Sequence, residues 1–212
     1  MPPVTRQISS LREAYGEFAA HPTPRLLAAQ LLVLLGGRLL WRRWSLADAV
    51  VVVVLVALQP FTEWVIHVTV LHCPADGGRR DRLAGYSHRR HHENPRDLRY
   101  QFLHPRVVYG GIVLDALVLL AFRTPAALTG LLAATVLTLV YEWVHFLIHT
   151  DYGPRHELYR RLHRAHRLHH FRNERYWLGV TARTGDRVLR TNPRKEDVEV
   201  SATAKTALAS RH

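Results

Sequence analysis

Residues 126–149 read AALTGLLAATVLTLVYEWVHFLIH, and this stretch decides what kind of protein the chain is. Positions 126–141 carry no charge, and the stretch then closes on Glu142, Trp143, His145 and His149. A hydrocarbon core about 30 Å thick is crossed by about 20 helical residues, so the length suffices for a span. Apolar residues surround the helix on every side and leave no polar stripe for water. A second stretch, LADAVVVVVLVALQPFTEWVIHVTVL (46–71), has the same character and also ends on Glu-Trp-Val and histidine. Two shorter blocks, 26–41 and 107–122, precede these and are interrupted by Arg38 and Asp115. Each shorter block is read as a span or, alternatively, as a buried helix of a soluble bundle or one that crosses only partly. The pattern predicts an all-α integral membrane four-helix bundle, built as two hairpins, with a cytosolic helical cap carrying the histidine clusters.

The chain has 212 residues and a formal net charge of +12. The arginines gather after the second and fourth blocks, in RRDR (79–82), HRRHH (88–92) and YRRLHRAHR (159–167). The positive-inside rule places these segments, and both termini, in the cytosol, with the protein in the cell's inner or plasma membrane. The link WRRWS (41–45) then faces outward, against the trend but outnumbered. Because the arginines adjoin membrane segments, anionic headgroups are the expected contact, and nucleic acid is not. A single cysteine, Cys73, excludes an internal disulfide framework and a thiolate zinc site. No secretory signal is legible. Residues 1–24 form an amphipathic N-terminal segment, with ISSLREAYGEFAAH (8–21) lying on the membrane or packing on the domain. The membrane domain is expected over 25–192, and 193–212 reads as a polar C-terminal tail without chemistry.

The two halves repeat one unit. EWVIHVTVLH (63–72) is followed by His88, His91 and His92; EWVHFLIH (142–149) is followed by His166, His169 and His170. His145 and His149, four apart, share a helix face. Each H-x-x-H-H triplet is expected to share a face as well. His67 and His72 are five apart, about 140° around an ideal helix, so they meet only if the helix ends or loosens near Leu71, before Pro74.

Ten imidazoles at matched spacing exceed what one ion can accept, so two metal ions are expected, held by His67, His72, His88, His91, His92, His145, His149, His166, His169 and His170. His21, His104, His156 and His212 read as solvated, and His163 is undecided between the ligand face and an outer position. Ligating imidazoles need a partner on the second nitrogen. Glu63, Glu142, Asp97 and His163 are the candidates, with pairing to nearby arginines the alternative for the acids. Asp115, alone in an apolar helix, is expected to find a structural partner in the bundle.

The order H-x(4)-H, H-x-x-H-H, H-x(3)-H, H-x-x-H-H over residues 46–192 resembles the fatty acid hydroxylase and sterol desaturase superfamily of membrane di-iron oxygenases. The resemblance implies two iron ions, with zinc as a substitute in purified protein, O2 as co-substrate, and hydroxylation of a lipid C–H bond. It also implies electrons from a separate ferredoxin or cytochrome with its reductase. HHENPRDLRYQFLHP (91–105), HHFRNERYWLGVT (169–181) and DRVLRT (186–191) are similar to the fatty acid 2-hydroxylase branch. That branch usually has arginine where Tyr100 stands and proline where His104 stands, and many members carry an N-terminal heme domain that is not seen here. Carotenoid ring hydroxylases and sterol-modifying oxidases share the scaffold. A membrane metal-binding or transport protein is the non-enzyme alternative. Trp64, Tyr141, Trp143 and Trp177 are candidates for the substrate channel or, alternatively, interfacial anchors.

Overall fold

The computed structural model describes residues 7–204. In chain order the helices are α1 (Leu11–Ala20), α2 (Pro22–Trp41), α3 (Leu46–Ile66), α4 (Tyr86–Glu93), α5 (Leu98–Gln101), α6 (Pro105–Phe122), α7 (Pro125–Ile148), α8 (Glu157–Phe171) and α9 (Thr184–Val188). Among the described residues there is no strand. Four segments are long and apolar enough to cross a membrane: Pro22–Trp41, Leu46–Leu71, Leu98–Phe122 and Pro125–Ile148. The two shorter apolar blocks therefore belong to segments long enough to span. Val33, Leu40, Val53, Leu114 and Leu120 lie exposed on these helices, the surface expected where lipid rather than water is the solvent.

Two tight links build the hairpins. After α2, Arg42 takes a left-handed backbone with φ 49°. Ser45 then starts α3, its N–H donating to the Asp48 carboxylate at 2.7 Å. After α6, Arg123 turns the chain with φ 46°. Thr124 caps α7, accepting the Ala127 N–H at 3.2 Å, and Pro125 occupies the first turn. Both links lie at one end of the bundle, so α3 and α7 run together toward the other end, where the histidines are.

The two charges that interrupt the shorter blocks, Arg38 and Asp115, both have polar partners. Arg38 is fully buried; it donates to Thr129 Oγ1 at 2.7 Å, to Asp48 Oδ1 at 2.9 Å and to the Arg43 carbonyl at 2.8 Å. The Trp44 ring covers its guanidinium at 3.6 Å. One side chain from α2 thereby joins α3 and α7 at the link end. Asp115 accepts from Gln30 Nε2 at 2.5 Å, tying α6 to α2.

Outside the spans, α1 packs on the domain through buried Ala14 and Phe18, the latter meeting Trp143 edge-on at 5.1 Å. The described part of the segment after Asn192 is also held: Val198 is buried with Trp177 and Ala165, and the Ser201 N–H donates to the Arg172 carbonyl at 2.9 Å. Residues 1–6 of the N-terminal segment and 205–212 of the tail, His212 included, lie outside the described residues. His21 is half-buried rather than solvated, while His104 is exposed as expected. Their Nδ1 atoms accept the Thr23 and Arg106 N–H groups at 3.4 and 3.2 Å, capping α2 and α6.

Candidate metal centre

At the open end of the bundle α3 does not stop at His67; it widens. His67–Leu71 is a π-helical turn, closed by the His72 N–H donating to the His67 carbonyl at 2.9 Å. A turn closed over five residues brings positions five apart over one another, and the His67 and His72 rings lie parallel at 5.1 Å. The loosening expected before Pro74 is therefore a specific backbone device. A second π-turn, Asp81–Gly85, leads into α4. Gly85 is required there, since a Cβ would stand 2.5 Å from Cys73 Sγ. That close approach fixes α4 against the segment carrying His72.

All ten candidate histidines converge, in two groups of five. His67, His72, His88, His92 and His169 form one; His91, His145, His149, His166 and His170 form the other. Within each group the candidate ligand atoms lie within 4.8 Å of one another. Nine of the ten side chains are 9 % exposed or less, and His72 is half-buried. The expectation that each triplet shares one face is corrected. On a helix with 100° per residue the first and third histidines lie about 40° apart, while the middle one points about 60° to the other side. His88 and His92 therefore join His67 and His72, and His91 crosses to the second group. His166 and His170 join His145 and His149, and His169 crosses to the first. Each half supplies four donors to its own group and one to the other.

In the first group the Nε2 atoms of His72, His88, His92 and His169 form a closed ring with edges of 3.1, 3.2, 3.1 and 3.3 Å. In the second, His166 Nε2 stands 3.0 Å from His149 and 3.1 Å from His170. Edges of this length suit nitrogens arranged around one ion at about 2.0–2.2 Å. The buried Nε2 atoms of His67, His91 and His145 have no hydrogen-bond partner. An unpaired buried donor or acceptor costs about 1–3 kcal/mol, so several together need a common acceptor of lone pairs. The donor set fits two metal ions.

Backbone carbonyls set the tautomers. A carbonyl can only accept, so His169 Nδ1 donates to Tyr176 at 2.9 Å and His145 Nδ1 to Gln101 at 3.0 Å. Both Nε2 lone pairs are thereby left facing inward. Outside the spans, burial holds the His72 pKa down to about 4. Burial, with repulsion from neighbouring imidazoles, pushes His88, His91, His92, His149, His166, His169 and His170 well below the ordinary imidazole value. Neutral imidazole is the ligating form.

No candidate carboxylate contacts a histidine by hydrogen bond. Glu63 accepts from the Val180 and Thr181 N–H groups, both at 3.1 Å, from the Thr181 hydroxyl, and from Gln59 at 3.2 Å. Glu142 accepts the Leu103 N–H at 3.2 Å. Each glutamate thus grips the loop that follows the other half's triplet, two to five residues from the carbonyl that orients a histidine. Asp97 caps α5 and pairs with Arg99. His163 stands beside Tyr159, outside both groups. The orienting carbonyls of Gln101 and Tyr176, and Asp186, which accepts the Leu178 and Gly179 N–H groups at 2.9 and 2.8 Å, were not legible beforehand. A main-chain acceptor leaves no residue-type signal.

A cavity reaches both groups: Leu71, Leu83, Val107 and Tyr141 line it together with His88 and His145. Of the four aromatic candidates only Tyr141 borders it. Trp64 Nε1 donates to Thr191 Oγ1 at 2.8 Å, Trp143 packs with Phe18 and Phe146, and Trp177 is buried against Ala165 and Val198.

A family model described as fatty acid hydroxylase matches residues 52–191, a range that holds all ten histidines. Among solved structures, the hydroxylase domain of full-length Scs7p is similar in fold, with a TM-score of 0.68 at 21% identity, covering 84% of this chain and 68% of that one. No curated protein matches the chain significantly.

Proposed function

The chain belongs to the fatty acid hydroxylase family, and from that premise we propose that it hydroxylates a C–H bond of a membrane lipid, a fatty acyl chain first among the substrates. We infer that the two histidine groups each hold one iron ion. Bound there, two irons would supply the activation of O2 and transfer of one oxygen atom to carbon, the other leaving as water. The observation that carries the reading is the pair of five-histidine groups with lone pairs turned inward at the end of an apolar bundle.

The chain's own residues do the rest. The reacting carbon would approach from the small cavity that Leu71, Leu83, Val107 and Tyr141 line beside His88 and His145. The packed bundle keeps bulk water from the centre. Tyr100 and His104, where the chain departs from the 2-hydroxylase branch, both line this cavity. They are the positions at which substrate choice would differ from that branch. By its arginine-rich flanks the histidine end faces the cytosol, and electrons come from a separate carrier protein.

The test is to incubate membranes containing the chain with labelled fatty acid, ceramide, carotenoid and sterol, supply an electron donor, and weigh the products. A gain of one oxygen atom on the acyl substrates, with two iron ions per chain, is expected. Exchangeable binding of a single ion and no oxidised lipid would overturn the reading in favour of metal transport.

A further inference from the structure

On the outer side of α8, away from the histidines, lies a hollow lined by Arg161, Arg164, Arg183, Arg194 and Lys195. Glu157, on its rim, is already paired with Arg160 and Arg161. Glu196 also lines it and Arg194 is paired with Asp197 at 2.9 Å, which leaves a lining of five cations against two carboxylates. Arg183 has a buried Nε with no hydrogen-bond partner. Burial, with Arg187, Arg161 and Arg164 nearby, lowers its pKa below the ordinary guanidinium value.

The floor of the hollow is Trp177, 2 % exposed. Its backbone is left-handed, with φ 56°, a conformation that bulky side chains rarely adopt. The strain is held by the Trp177 N–H donating to the Thr191 carbonyl at 2.8 Å and by its indole N–H donating to Pro193 at 3.3 Å. Immediately before this bend, Tyr176 offers the carbonyl that accepts His169 Nδ1–H at 2.9 Å. An aromatic ring under a basic hollow is therefore one residue and one hydrogen bond from a histidine of the first group. Strain of this kind gathers at functional sites.

We propose that the hollow over Trp177 is the docking and electron-entry port for an acidic one-electron carrier protein. The proposal rests on the oxygenase reading of the histidine centre. The balance requires such a carrier: R–H and O2 with two electrons and two protons give R–OH and H2O, so the carrier must deliver twice per turnover. Charge complementarity steers an acidic protein to a concave basic site. A lipid phosphate would meet the same arginines but has no use for a strained tryptophan joined to His169.

The experiment takes the full chain in neutral-lipid nanodiscs, with an acidic [2Fe–2S] ferredoxin as probe. Its affinity is expected to fall steeply with salt, and Arg164→Glu with Lys195→Glu to weaken it about tenfold or more at low ionic strength, at unchanged metal content. Trp177→Phe should bind ferredoxin normally yet lower the ratio of ferredoxin-driven to dithionite-driven turnover. Affinity and ratio equal to wild type in these variants would overturn the port. So would loss of adhesion to anionic vesicles with ferredoxin affinity intact. If the wild type oxidises no lipid with either reductant, the oxygenase reading fails, and the ferredoxin titration still decides the docking surface.

Discussion

The two halves of the molecule repeat each other in sequence and differ in how firmly each holds its surroundings. Glu63, in the first half, accepts from three groups of Val180 and Thr181 and from Gln59. Glu142, in the second, has the single Leu103 amide. The first half places its paired histidines with a π-turn, the second with an ordinary helical turn. The cavity lies between the halves, with Leu71, Ala84 and His88 on one side and Tyr141, Glu142 and His145 on the other. The two glutamates thus hold their loops unequally, and of the two Glu142 borders the cavity. The exchanged histidines, His91 and His169, keep the halves from acting separately.

The sharpest way to break that picture is to remove an exchanged ligand. His91→Ala should empty the group built on His145 and His149, in the opposite half, and cut activity by at least about a hundredfold. Metal analysis on His91→Ala and His169→Ala, read beside His145→Ala and His67→Ala, checks it. Loss of the ion from the mutated residue's own half would refute the exchange. Next in size, Ala84→Trp should fill the cavity beside His88 and lower turnover of long-chain lipid by about tenfold or more while the metal count holds.

Glu63→Gln should destabilise the chain by about 1–3 kcal/mol, since an amide nitrogen would face donors that now find a carboxylate. Glu142→Gln, with one donor to satisfy, should cost less; thermal unfolding of both variants in detergent gives the order. Acidification offers a gentler probe. In the metal-free chain His72 is held neutral to about pH 4 against an ordinary 6.5, so the folded state binds fewer protons than the unfolded one. Its contribution to stability is complete above pH 6.5 and is lost as pH falls toward 4, which a denaturation series across that window would show. The smallest effect expected is from Trp64→Phe, which removes the hydrogen bond to Thr191 for about 1 kcal/mol.

The architecture was largely open to reading because lipid imposes a simple requirement. Charge-free runs of sufficient length declare spans, and paired motifs declare that two hairpins end alike. The ten histidines were legible for the same reason: residue type and spacing carry ligand chemistry. What stayed hidden is geometry that no residue type announces. The division of each triplet follows from angles around α4 and α8 that matter only once both helices face a common space. The partners of His145 and His169 are main-chain carbonyls, whereas Glu63 and Glu142 hold loop amides and Asp97 pairs with Arg99, the arginine alternative. The aromatic candidates show the converse. Trp64, Trp143 and Trp177 stand near the site in sequence but are taken up in packing and hydrogen bonding.

The buried Arg38–Asp48 pair bears on how the chain enters its bilayer. Arg38 stands in the last turn of α2, so alone it would lie unpaired at the membrane boundary, at a cost below the figure of about 2.5–3.5 kcal/mol for a mid-helix arginine. Its counter-ion lies only ten positions downstream, on the first turn of α3. Entering lipid together, the two helices carry this pair already neutralised.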